Sequence, residues 1–304
     1  MKNNKDAKII TGFKCNNFCL FCYDKKNRYL PEKKTAEVKN EIFTARKKGA
    51  KKLHLIGGEP TIRTDILDLI RYAKTIGFDY IMITTNGRMF AYSDFTKQLI
   101  KTGISEIIFS IHGYKAKIHD FLTKSRGSFN QIQKGLYNLK EFGFNQIGVN
   151  TTIVRQNYKS LPLLAIMLNK YKIKRAEFIW VATTKKKFKE LTPLISRAAP
   201  YICQALDIGN RNRLNWALLN PAMGCYFSDY FNSNIKYGDS REEKLFSTNP
   251  KARTYYRISK MKILNYMKKE ICHSCLISRK CLGVEKTYSK IYGTKEIKPV
   301  LTDK

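Results

Sequence analysis

At 304 residues, with 43% hydrophobic and 12% aromatic content, the chain can bury a sizeable core, as one large domain or a domain with an extension. No apolar run approaches the roughly 20 residues of a membrane span, and Met1-Lys-Asn-Asn-Lys-Asp lacks the apolar segment of a signal peptide. A cytoplasmic location without a membrane partner is therefore expected, where eight cysteines are expected to bind metal or do chemistry rather than form disulfides. The net charge of +33 comes from 57 basic and 24 acidic residues. Of the basic residues 15 are arginine and 42 lysine, scattered over most of the chain. Dedicated phosphate recognition favours the arginine fork, so a global compositional bias is the favoured reading, and a nucleic-acid partner stays open.

Residues 8–14 read as a first strand. Helical periodicity runs from Thr35 to Lys48 and meets Gly49. Leu53-His54-Leu55-Ile56 is a second strand, closed by Gly57-Gly58. A helix spans Asp65 to Ile76, a third strand Tyr80 to Thr85, and a helix 94–102 ends at Gly103. Ile107 to Ile111 is a fourth strand. Ser128 is placed to N-cap a helix that runs to Phe142 and stops at Gly143. A fifth strand covers Ile147 to Val154. The helix at 159–171 tolerates Pro162 in its first turn, Phe178 to Val181 is a sixth strand, and a lysine-rich helical stretch follows at 185–208. Six strands, each followed by a helix, argue for parallel βαβ units. Eight would close a barrel, so six imply an α/β fold with an open, partial (β/α)6 TIM-type barrel and chemistry at the strand C-terminal ends.

Cys15-Asn-Asn-Phe-Cys19-Leu-Phe-Cys22 places three cysteines at C-x3-C-x2-C, just after the first strand. Three thiolates in one short loop can hold three irons of a cubane cluster, and the missing fourth leaves one iron open. An open metal position marks a reactive site. A zinc loop, or three unrelated thiols, is the competing reading. The spacing, with Phe21 before the last cysteine, resembles the signature of the radical S-adenosylmethionine (SAM) superfamily. That resemblance implies a 4Fe-4S cluster on Cys15, Cys19 and Cys22, with SAM chelating the open iron.

Motifs at the strand ends agree with it. Gly57-Gly58-Glu59-Pro60 resembles the GGEP motif that the family uses for the SAM amino group, although paired glycines and Glu-Pro also make ordinary turns. Thr85-Asn86-Gly87 resembles a tripeptide that sits beside SAM, although Asn-Gly makes a turn unaided. Ser110-Ile-His112-Gly stands where the family has S-x-D-G, which implies Ser110 as a SAM contact. His112 replaces the usual acid; a structural histidine is the plainer reading, and its place at a strand end makes it a substrate-contact candidate. Asn150 on the fifth strand needs a partner if buried, and SAM is the one the resemblance implies. His119-Asp120-Phe121-Leu122-Thr123 and Arg126-Gly127-Ser128-Phe129 resemble a stretch of peptide-modifying radical SAM enzymes. Arg126 is either a carboxylate partner for substrate or a solvated charge. The implied cofactor contacts are thus Phe21, Gly57, Gly58, Glu59, Pro60, Thr85, Asn86, Ser110 and Asn150.

The βα rhythm is expected to stop near residue 210, which divides the chain into a core at 1–209 and an extension at 210–304. The extension holds Cys225 and Cys272-x2-Cys275-x5-Cys281. C-x2-C is also half of a zinc knuckle. The C-x2-C-x5-C run resembles the auxiliary-cluster segment of SPASM domains. SPASM domains continue C-x3-C, where this chain has Glu285, and no cysteine follows Cys281 in this sequence, so the shortened, twitch-like version is expected rather than a two-cluster domain. Its second 4Fe-4S cluster would take Cys225 as the fourth ligand or stay open. One helix ending near Lys269 is expected to deliver Cys272. Cys203 reads as a structural cysteine on an apolar helix face.

The resemblance implies an enzyme that reductively cleaves SAM to a 5′-deoxyadenosyl radical and abstracts hydrogen from a substrate. The SPASM-like tail tilts the substrate toward a peptide or protein side chain, and the charge keeps an RNA substrate as the alternative. A one-electron donor such as flavodoxin or ferredoxin is implied as partner. A non-catalytic iron–sulfur or zinc scaffold is the reading of another class.

Overall fold

Strand β1 (Lys5–Ile10) pairs parallel with β2 (Ala50–Ile56), setting Ala7 opposite Leu53 and Ile10 opposite Ile56. Helix α1 (Thr35–Lys47) makes the crossover. The computed structural model describes residues 5–237, 243–245 and 266–301. These fall into two compact units, one reaching Asn150 and including Glu243–Leu245, the other from Thr151 to residue 237 and from residue 266 on.

In the first unit the βα unit repeats through α2 (Ile66–Thr75), β3 (Tyr80–Thr85), α3 (Ser93–Lys101), β4 (Glu106–Ser110), α4 (Ala116–Thr123), α5 (Ser128–Glu141) and β5 (Ile147–Ile153). β2 to β5 pair in sequence, each parallel to the last. A short strand, Glu243–Leu245, lies parallel to β1 on its other edge. Glu106, Ile107, Ile108 and Phe109 of β4 are all buried, the unbroken run expected of a strand covered on both faces. Such parallel pairing sends every strand C-terminus, and the loop after it, to one end of the sheet.

The second unit continues with α6 (Leu161–Lys170), which takes Pro162 in its first turn as expected, β6 (Arg175–Trp180), α7 (Phe188–Leu191), α8 (Ile195–Arg211), β7 (Asn215–Leu219) and β8 (Ile235–Lys236). α6 packs on α8, and β6, β7 and β8 pair parallel in that order. Trp216 of β7 is buried edge-to-face on Phe178, and its indole N–H donates to the Ile173 carbonyl at 2.9 Å. Further on, Tyr266–Met267 and Val284–Glu285 form an antiparallel pair, followed by the helix Lys286–Tyr292.

Several sequence expectations are corrected. The first strand lies at 5–10 rather than 8–14, so Thr11 to Lys14 belong to the loop ahead of the cysteines. The βα rhythm does not stop near residue 210, since β7 and β8 extend the parallel pairing. The 185–208 stretch is not one helix. It breaks into a 3-10 turn at Lys185–Lys187, α7 and α8 because Thr192-Pro193-Leu194 leaves the helical path. Ser128 is the first residue of α5; the N-cap is Gly127, at φ 79°. α4 was not anticipated. Of the helix expected to end near Lys269, the part at 246–265 lies outside the described residues, while its end is not helical: Tyr266–Met267 is a strand, and Cys272 closes the 3-10 turn Glu270–Cys272.

Candidate functional site

Cys15, Cys19 and Cys22 lie together, each partly exposed, in the loop after β1. The loop is pinned from outside by backbone bonds: Phe18 N–H donates to the Thr123 carbonyl (2.8 Å) and Leu20 N–H to that of Leu122 (2.9 Å). Several donors reach the sulfurs: the Asn17 N–H at 3.4 Å and Asn86 Nδ2 at 3.9 Å to Cys15, and Arg28 Nη2 at 3.8 Å to Cys22. Such donors suit anionic, metal-bound thiolates. Burial pushes the Cys19 thiol up to about 12, with Cys15 and Cys22 adding to the rise. The free thiol therefore stays protonated, whereas a bound metal deprotonates it.

The turn after β2 is stitched to this loop. Glu59 N–H donates to the Lys14 carbonyl at 2.7 Å. Gly57 sits at φ 93° and Gly58 at φ 48°. A Cβ on Gly57 would lie 2.6 Å from Ile10 Cγ2, and one on Gly58 2.2 Å from the Lys14 carbonyl oxygen. The glycines let two backbones touch immediately before Cys15. The Glu59 carboxylate accepts from Thr61 N–H (3.0 Å), Thr61 Oγ1 (2.6 Å), Thr85 Oγ1 (2.7 Å) and the Asn86 N–H (2.5 Å). Burial pushes its carboxyl up against the pull of these donors. Its side chain is thus engaged in joining the turns after β2 and β3, and Pro60 opens a 3-10 turn there.

Asn86 carries the link onward, donating to Asn16 Oδ1 at 2.6 Å. Ser110 and Asn150 stand opposite one another across the β4–β5 ladder. Asn150 Oδ1 is buried without a partner among the described residues, an acceptor open to a ligand. His112 is 5% exposed, its ring 4.6 Å edge-on from Phe21 and stacked 5.8 Å from His119. His119 Nδ1 accepts the His112 N–H at 3.1 Å, which puts the His119 proton on Nε2, and that buried nitrogen also has no partner among the described residues. The open acceptor on Asn150 and the open donor on His119 are consistent with a polar cofactor, and the three thiols with an iron–sulfur cluster. Arg126 is exposed in the turn before α5 and is not gathered in. The motif around it has a structural explanation: Asp120 accepts from Gly127 N–H (2.7 Å), Ser128 Oγ (2.9 Å) and Phe129 N–H (2.8 Å), clamping the start of α5.

Three arginines were missed. Arg28 reaches Cys22. Arg63, 8% exposed, donates to the Thr11 and Lys33 carbonyls, both at 3.0 Å. Arg88 donates to the Asn16 carbonyl, to Asn17 Oδ1 (3.1 Å) and to Gln131 (2.6 Å). Arg88 directly follows Asn86-Gly87, and this was the only signal available.

In the second unit Cys225, Cys272, Cys275 and Cys281 line one cavity. Cys225 is returned to the others by backbone pairing. Met223 bridges Val284, Glu285 N–H donates to the Ala222 carbonyl at 2.9 Å, and Tyr266 OH donates to the carbonyls of Asn220 and Pro221, both at 3.0 Å. Val300 N–H points at Cys275 and Gly283 N–H at Cys281, both at 3.3 Å, with Tyr237 OH 3.7 Å from Cys281. Burial pushes the Cys225 thiol up to about 11. Cys203 lies on α8 outside this cavity, only partly buried. Among the described residues no three His, Cys, Asp or Glu side chains converge tightly enough for a single ion. A cubane sets its thiolates on separate irons and does not require that convergence. Among the described residues no helix is long and apolar enough to cross a membrane.

The profile of the radical SAM superfamily matches residues 9–165. A probable GTP 3',8-cyclase of Methanopyrus kandleri is 27% identical over 161 residues, covering 53% of this chain and 51% of that protein. The Fe-coproporphyrin III synthase of Methanosarcina barkeri is 30% identical over 188 residues, 58% of this chain and 44% of that one. The chain thus spans about half the length of the curated relatives it matches. Among solved structures, Streptococcus suis SuiB bound to S-adenosylmethionine superposes with a TM-score of 0.63 at 15% identity, covering 96% of this chain and 75% of that one. The protein anSMEcpe with bound AdoMet gives 0.64 at 13%, covering 97% and 93%. At these identities the likeness shows the fold, an α/β partial barrel, as the βα count predicts.

Proposed function

Because this chain belongs to the radical SAM superfamily, whose members use a 4Fe-4S cluster and S-adenosylmethionine, we propose that it is an enzyme that generates a radical from SAM to modify a peptide or protein side chain. When bound, the cluster and SAM supply one-electron cleavage to methionine and a 5′-deoxyadenosyl radical that abstracts hydrogen. Cys15, Cys19 and Cys22 hold the cluster. Ser110 and Asn150 offer polar atoms toward SAM, and the turns at Gly57–Pro60 and Thr85–Asn86 fix the loop on which the cluster sits. His112, packed on Phe21, is the substrate-contact candidate at the buried side. In this reading residues 1–209 carry the radical chemistry and 210–304 an auxiliary 4Fe-4S centre on Cys225, Cys272, Cys275 and Cys281. A flavodoxin or ferredoxin supplies the electron.

The observation that carries the peptide reading is the four-cysteine cavity, formed on a C-x2-C-x5-C run like that of SPASM-type peptide-modifying enzymes. A nucleotide substrate is the second reading. It is favoured by the relatives named GTP 3',8-cyclase and, for RNA, by the charge of +33. The test is anaerobic reconstitution, addition of SAM and dithionite, and mass spectrometry of the deoxyadenosine formed with deuterated peptides, GTP or RNA. Deuterium from a peptide is expected; deuterium from GTP or RNA overturns the peptide reading. No deoxyadenosine under any condition overturns the enzymatic reading.

A further inference from the structure

The loop of Cys15, Cys19 and Cys22 has two unlike sides. Its inner side packs on the turns after β2 and β3 through Lys14, Asn16 and Asn86. Its outer side presents large aromatic rings to solvent: Phe18 is 59% exposed, Tyr29 92% and Phe121 48%. Isolated exposed rings are ordinary, but two of these, Phe18 and Phe121, each carry a cation on the ring. The Arg28 guanidinium lies 4.8 Å over the Phe18 ring and Lys124 Nζ 4.7 Å over that of Phe121. The Phe18 N–H is bonded to Thr123, next to Lys124, so the two clusters adjoin. Lys25 and Lys26 stand exposed in the 3-10 turn Tyr23–Asn27 between Cys22 and Arg28.

The carboxylates of this region are engaged elsewhere. Glu32 pairs with Lys14 at 2.8 Å, Asp24 accepts from Asn27 at 3.1 Å, and Asp120 clamps α5. What the outer side offers a partner is therefore aromatic surface rimmed by positive charge, placed directly over the cysteine loop. Aromatic centres with polar rims are typical of protein interfaces, and small, charge-steered contacts of transient redox encounters.

We propose that Phe18, Lys25, Lys26, Tyr29, Phe121 and Lys124 form the docking surface for a small acidic one-electron carrier protein. This rests on the reading of the cysteine loop as a cluster site. The step is a single outer-sphere transfer: the reduced carrier loses one electron, the cluster gains it, and no bond is made or broken. Arg28, touching both the Phe18 ring and Cys22 Sγ, connects surface to cluster. The positive rim speeds encounter and makes it salt-dependent.

The experiment compares two reductants on reconstituted enzyme, reduced acidic flavodoxin and dithionite, with the variant Lys25→Glu/Lys26→Glu/Lys124→Glu. Flavodoxin-driven deoxyadenosine formation is expected to fall about tenfold or more, from the loss of steering, and in the wild type to weaken with added salt. Dithionite-driven formation is expected to be unchanged. Equal flavodoxin-driven rates in variant and wild type overturn the proposal. So does a variant that keeps flavodoxin-driven turnover but loses RNA binding at physiological salt, which assigns the face to a nucleic acid. Carbodiimide cross-linking of wild-type enzyme to flavodoxin gives a readout that needs no variant. Cross-links at Lys25, Lys26 or Lys124 are expected, and cross-links confined to the second unit overturn the proposal. Failure of dithionite to support deoxyadenosine formation in wild type would count against the radical reading itself, so the two failures are distinguishable.

Discussion

The two cysteine sites are assembled in opposite ways. Cys15, Cys19 and Cys22 are gathered by local spacing, and the fold then braces the loop from four directions: the Gly57–Pro60 turn, Asn86, Arg88 and the end of α4. Cys225 stands far up the chain from Cys272 and reaches it only because Ala222 and Met223 pair with Val284 and Glu285. The first site has three thiols and neighbouring open polar atoms; the second has four thiols lining one cavity. An incomplete ligand set suits a reactive centre and a complete one a structural or electron-transfer centre. In the first site the spacing presents the thiols and tertiary structure surrounds them with donors; in the second, tertiary structure brings the four thiols together.

The sharpest way to break this contrast is to remove ligands. Cys15→Ala, Cys19→Ala or Cys22→Ala is expected to abolish deoxyadenosine formation while leaving the circular dichroism spectrum intact. Wild-type rates in any of them would refute the assignment of the reactive centre.

The bracing can be tested next. Gly58→Ala puts a Cβ 2.2 Å from the Lys14 carbonyl at φ 48°. Left-handed strain plus overpacking is expected to cost on the order of 3 kcal/mol. Chemical denaturation of the iron-free chain would show it, and an unchanged midpoint would mean the two backbones are not in contact.

A comparable effect is expected from pH. Burial holds the His119 imidazole down at about 4, below its ordinary 6.5, with Asp120 opposing. Between these values the unfolded chain takes up a proton that the folded chain refuses. Stability should therefore be full above about 6.5 and fall by roughly 3 kcal/mol as pH drops to 4. Burial also lowers His112, which stacks on His119, so its refusal of a proton acts in the same direction. His119→Gln should flatten the urea-midpoint profile over that window; an equally steep profile would contradict the account.

Smaller still is Arg88→Ala, which removes the bonds to Asn16, Asn17 and Gln131. Bonds from a charged donor suggest a loss of about 2 kcal/mol, with faster iron loss to a chelator. The same loss rate as wild type would show that the loop does not depend on this brace.

How much of this was legible in the sequence follows the same divide. The helix stops at Gly49, Gly77, Gly103 and Gly143 all fall at positive φ, and β3 lies where its apolar run places it. Short-range chemistry sets such features, so sequence shows them. Arg63 and Arg88 were not legible, because their partners come from distant loops that only the fold brings near. Asp120 was legible as a motif but not as a clamp on α5. The strands past residue 210 were hidden because Thr192-Pro193-Leu194 interrupts the helical pattern before α8, and β8 is only two residues long. The meeting of Cys225 with Cys272, Cys275 and Cys281 depends on pairing that no spacing encodes.

The measurement that tests the two-centre account most directly is iron analysis with EPR, with and without SAM, on wild type, the Cys15/Cys19/Cys22 triple alanine variant and Cys225→Ala. Wild type should bind about eight irons as two 4Fe-4S centres, with SAM perturbing one signal. The triple variant should keep about four irons in a centre indifferent to SAM. Cys225→Ala should alter that second signal and leave the SAM-sensitive one unchanged. A triple variant that binds zinc but no iron, or a Cys225→Ala chain with both signals intact, would contradict the account.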